Sequence, residues 1–79
     1  MLELPIGIMS ASNPKQLGMA LAARRRALRL TQSDLADVVG VNRRVVGELE
    51  RGKGSVRLEI ALELVRALGL DLDLRTRDR

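Results

Sequence analysis

Apolar side chains recur at helical spacing in four stretches of the chain, each fenced by residues that start or stop helices. In the first, Leu17, Ala20, Leu21 and Leu28 form an inward face behind Ser12 or Asn13 as N-cap, with Pro14 in the first turn. In the second, Thr31 caps a helix whose apolar face is Leu35, Ala36 and Val39. Asp34 sits in its first turn, where the helix dipole favours a carboxylate, and Gly40 ends it. Val41 turns inward and Asn42 caps the third helix, in which Val46 and Leu49 face the core. Arg43, Arg44, Gly47 and Glu48 are left outside, and Gly52 stops the helix. The fourth helix runs from about Arg57 to Leu68 and carries two apolar stripes. Leu58, Ala61, Leu62, Val65 and Leu68 form one; Ile60, Leu64 and Ala67 form the other.

Two short capped helices joined by a tight turn, the second opening on arginines, form the geometry that enters the DNA major groove. An arginine can grip guanine O6 and N7 with two donors, so Arg43 and Arg44 are the expected base readers. Asn42 and Gly47 belong to the same contact surface, and Glu48 could accept from cytosine N4. An ordinary αα-hairpin with solvated arginines is the plain alternative.

The two stripes of the fourth helix cannot both be buried in one small domain, and a second copy of the chain is the simplest cover. Leu70-Asp71-Leu72-Asp73-Leu74 then alternates strictly, the pattern of a half-buried strand, and an isolated strand needs a partner. The expected dimer surface is therefore Ile60, Leu64, Ala67, Leu70, Leu72 and Leu74. At the other end Leu2, Leu4, Ile6 and Ile8 alternate around Pro5, which fits a short edge strand or a flexible arm. The organisation that follows is an arm over 1–12, a helical domain over 13–69, a dimerisation strand over 70–75 and a charged tail over 76–79.

Composition narrows the chemistry. A chain of 79 residues is one domain at most, and its core supplies only a few kcal/mol. With no Cys and no His it lacks disulfides, thiolate and zinc chemistry and the usual general base. Its acidic residues form no cluster suited to a metal, so the reading is non-enzymatic with no cofactor. The absence of Phe, Trp and Tyr removes the stacking platform that single-strand and RNA binders use, which favours duplex DNA. Between Asn13 and Arg57 there are ten basic and four acidic residues, a net of +6; from Leu58 to Arg79 the net is −1. The basic excess thus lies with the candidate DNA-binding helices. No apolar run approaches the roughly 20 residues that span a membrane. Met1–Ala11 lacks the basic start of a signal peptide, so the expected location is cytoplasmic.

The order Thr-Gln-x-x-Leu-Ala-x-x-x-Gly-Val from Thr31, followed by Val-x-x-Leu-Glu-x-Gly from Val46, resembles the phage-repressor (Cro/C1, or XRE) family of helix-turn-helix domains. The resemblance extends from about Leu17 to Leu70. It implies an all-α domain of four to five helices that binds double-stranded DNA as a homodimer and regulates transcription. It places Gln32 at the family's phosphate-contacting glutamine, with Ser33 beside it in the same helix start. It also places Arg51 and Lys53 in a loop that lies along the DNA backbone, and pairs Arg25 with Glu50 as a structural link between the first and third helices. The helix-Gly-Leu-x-Leu-x-Leu ending is similar to HipB-like antitoxin regulators, whose C-terminal strands pair across the dimer. That similarity implies a repressor of its own operon whose partner is a HipA-like kinase toxin. A stand-alone repressor-type regulator and a toxin-neutralising module without a DNA role are the alternatives.

Overall fold

The computed structural model describes residues 9–77, and the expected arm over 1–12 falls mostly outside them. Four helices make up the described architecture: α1 (Pro14–Ala27), α2 (Gln32–Val39), α3 (Arg43–Glu50) and α4 (Leu58–Ala67). The fold is all-α, as the apolar periodicity predicts.

Each of the first three helices starts on a side-chain cap. Asn13 accepts from the Gln16 N–H and Asn42 from the Arg44 N–H. Thr31 and Asp34 close a reciprocal capping box at the start of α2. All four described helices end in the same C-terminal device. At α1, α2, α3 and α4 the chain turns left-handed at Arg29, Gly40, Gly52 and Gly69. The following N–H groups, of Leu30, Val41, Lys53 and Leu70, then return to the carbonyls of Arg25, Ala36, Glu48 and Val65. Glycine takes that conformation at little cost. Arg29, at φ 62°, is the one non-glycine residue that does so among the described residues.

The core is built from Leu21, Leu35, Ala36, Val46, Leu49, Ala61, Leu64, Val65 and Leu68. α3 packs on both α1 and α2, and α4 closes over α2. The approach of α1 to α3 is unusually close because position 18 is glycine: a Cβ there would stand 2.3 Å from the Leu49 carbonyl oxygen and 2.6 Å from that of Glu50.

Two expectations about α4 need correction. Leu64 is 1% exposed and belongs to the core, so it is not part of a dimer surface. Leu58, expected inside, is 72% exposed. The buried line is Ala61, Leu64, Val65 and Leu68, while Ile60 and Ala67 pack half-buried against it. The physical reason is that α2 packs on α4 and covers the edge on which the two stripes meet. Residues 70–77 carry no regular secondary structure in the single chain. Leu70 is half-buried against the core, whereas Leu72 and Leu74 are exposed.

Candidate nucleic-acid interface

Three elements converge on one face. α2 and α3 are joined by a turn at Gly40 and Val41, whose N–H groups both return to the Ala36 carbonyl. The loop 51–57 folds back behind α3, and Gly52 lies against the backbone of Lys15 at the start of α1. Lys15, exposed, thereby joins Arg51 and Lys53 in a single basic corner. The sequence gives no local sign of that neighbour, because the contact joins segments far apart in the chain.

At the start of α3, Arg43 and Arg44 are exposed, and neither is in an ion pair among the described residues. Asn42 is exposed as well, but its carbonyl oxygen is taken by the cap. Ser33 is exposed in the first turn of α2. Gly47 corrects the sequence reading, which puts it outside. It is buried, and a Cβ there would lie 3.3 Å from the Arg51 guanidinium and 3.6 Å from the Gln32 carbonyl oxygen. Its lack of a side chain lets α2 and the end of α3 close together, so it is the side chains of Gln32 and Arg51 that cover this part of α3.

Behind this face lies a buried polar link. Arg25 donates to both carboxylate oxygens of Glu50, at 2.6 Å and 3.0 Å, and to the Leu30 carbonyl at 2.8 Å. The side chains are 10% and 7% exposed. Gln32 adds a bond that the sequence does not reveal, its amide donating to Glu50 at 2.9 Å. One carboxylate thus ties α1, α2 and α3 together. Burial pushes the Glu50 carboxyl upward. The hydrogen bonds from Arg25 and Gln32 and the charges of Arg25 and Arg26 outweigh it and hold the group below its ordinary range. The Arg25 guanidinium is raised in turn, chiefly by its hydrogen bond to Glu50.

The remaining site residues interact with one another. Glu48 is half-buried and accepts from the Lys53 ammonium at 3.2 Å. Arg24, one of the three arginines ending α1, donates to the Leu68 carbonyl at 2.9 Å and so caps α4. No group of residues suited to a metal ion occurs among the described residues, and no described helix is long and apolar enough to cross a membrane.

Similarity to known proteins follows the same residues. A helix-turn-helix family model matches residues 21–74. An uncharacterized HTH-type transcriptional regulator of Methanothermobacter thermautotrophicus is 47% identical over 45 residues, 57% of this chain; the chain spans only 65% of that relative's length. A second, from Sinorhizobium fredii, is 31% identical over 61 residues, covering 77% of this chain and 80% of the relative. Among solved structures, a chain of a HipA-HipB-O2-O3 complex superposes with a TM-score of 0.82 at 22% identity. That match covers 90% of this chain and all of the other. The matched span, the paired helices over Gln32–Glu50 and the Arg25–Glu50 link agree: the chain belongs to the Cro/C1-type (XRE) helix-turn-helix family.

Proposed function

We propose that the protein is a sequence-specific double-stranded-DNA-binding regulator of transcription that represses by occupying an operator. One observation carries this reading. Arg43 and Arg44 stand exposed and free of ion pairs among the described residues, at the capped start of a helix clamped to its neighbours through Glu50. In this reading α3 enters the major groove and the two arginines take base edges. Gln32, Ser33 and Arg51 meet phosphates, and Lys15 and Lys53 add positive charge beside them. Glu50 keeps the Gln32 amide in place, so a core ion pair fixes part of the phosphate-facing surface.

Homodimerisation belongs to the proposal. Leu58 and Leu72 are exposed around an apolar groove bounded by α1, α4 and the C-terminal segment, in which Leu74 is exposed as well. A second copy covering that groove, with the two C-terminal segments paired, would hold two recognition helices about one DNA turn apart. Supporting the finer reading, an antitoxin that represses its own operon beside a HipA-like kinase, is the fold shared with a chain of a HipA-HipB complex. A stand-alone regulator fits the same interface without the kinase, and a protein-interaction module would not need the basic face.

Selection from a randomised duplex library tests the proposal. Enrichment of an inverted repeat, with half-sites about one turn apart, is the expected result. Failure to retain any duplex at low salt would overturn it. Co-elution with a kinase encoded in the same operon separates the antitoxin reading from the stand-alone one.

A further inference from the structure

α3 carries two carboxylates with different surroundings. Glu50 is buried under Arg25 and Gln32. Glu48 is half-buried, one turn from Arg44 and three residues before Arg51, and is the other acidic residue of α3. It is held in a specific way. The Lys53 N–H donates to the Glu48 carbonyl at 3.0 Å and the Gly52 N–H to that of Leu49 at 3.0 Å, the two bonds that close the helix end. In such endings the two residues so joined usually share an apolar contact. Here that contact is replaced by the Lys53–Glu48 ion pair at 3.2 Å, with side chains 52% and 23% exposed. Backbone and side chain therefore both keep the Lys53 ammonium over the end of α3.

We propose that Glu48 is a specificity-determining residue of the DNA face, acting by restraining Lys53 rather than by reading a base. The inference rests on the DNA-binding reading above. Non-specific binding is electrostatic, and such a complex can shift along the duplex to gather every available phosphate contact. Lys53 can join only by giving up Glu48, and the carboxylate left behind then faces the phosphates unpaired. On an operator the register is fixed by Arg43 and Arg44, so a freed Lys53 has less to gain. The pair therefore weakens non-operator complexes more than the operator complex.

The test uses Glu48→Gln, Lys53→Gln and the double variant. Each is titrated against a selected operator duplex and a 20-bp duplex of scrambled sequence over a range of salt. Lys53 is exposed and Glu48 half-buried, and circular dichroism checks that the helices are kept. Glu48→Gln should bind the scrambled duplex about eight-fold more tightly near 0.1 M salt, with a slope steeper by about 0.9, the effect of one added phosphate contact. Operator affinity should rise less, so the ratio of the two falls, and Lys53→Gln should abolish the effect in the double variant. An unchanged slope overturns the proposal, as does an equal rise on both duplexes or a rise that persists in the double variant. Weaker operator binding with unaltered scrambled binding would make Glu48 a base reader and overturn it. If the wild type binds neither duplex, the DNA-binding reading itself fails and this inference with it.

Discussion

Removing the Glu50 carboxylate should cost more than any other single polar change in the chain. In Glu50→Ala the Arg25 guanidinium keeps one partner, the Leu30 carbonyl, while its side chain stays about nine-tenths covered. Breaking a buried pair from one side costs about 3–5 kcal/mol, because the surviving charge is left uncompensated. A domain of this length is stable by roughly 4–12 kcal/mol in all. At about 4–8 °C per kcal/mol, the melting temperature should fall by at least about 12 °C. The chain has no aromatic side chain, so the transition is followed by far-ultraviolet circular dichroism at matched concentration. Replacing both partners by apolar residues of similar size, Arg25→Met with Glu50→Leu, should restore most of the loss. The pair also has a pH signature. The folded carboxyl sits below its ordinary value of 4.5, so its contribution is complete above that value and fades as pH falls through the folded one. Glu50→Gln should flatten acid destabilisation over that window. A Glu50→Ala protein melting within about 3 °C of wild type would refute the reasoning.

Gly18→Ala should destabilise by about 1–3 kcal/mol in a urea titration, despite alanine's better helix propensity, because the new methyl meets backbone oxygens that cannot move aside. Arg29→Gly should raise stability by about 0.5–1 kcal/mol, relief of the left-handed backbone outweighing the added freedom of the unfolded chain. Leu72→Lys, at a side chain already 55% exposed in the single chain, should leave the melting of the monomer intact but shift sedimentation from dimer to monomer. Operator affinity should fall with it.

The fold was legible where the signals are local. Asn13, Thr31 and Asn42 act as caps and Gly40, Gly52 and Gly69 as left-handed stops, as their positions before and after apolar runs predict. The Arg25–Glu50 pair follows from the resemblance and forms with both oxygens engaged. What the sequence does not reveal depends on how the helices lean. Both stripes of α4 are apolar, and only the way α2 packs on α4 decides that Leu64 goes inside while Leu58 stays out. Gly47 reads as an open surface because a helical wheel cannot show the Gln32 and Arg51 side chains laid across it. Gly18 and Lys15 offered a weak signal at most: a glycine inside a helix hints at close packing but does not name its neighbour. The Glu48–Lys53 pair was within reach, since a glycine stop at position 52 fixes which two residues face each other across the helix end.

The central claim is that α3 reads DNA through Arg43 and Arg44. Equilibrium titration of a labelled, selected operator duplex with wild type, Arg43→Ala and Arg44→Ala, at one stated salt concentration, tests it most directly. Each variant should lose about 5–150-fold in operator affinity, the 1–3 kcal/mol of a two-donor base contact, with its melting temperature unchanged. Affinity for a scrambled duplex should fall much less, so the specificity ratio collapses. Wild-type operator affinity in both variants would contradict the account and move the reading surface away from the start of α3.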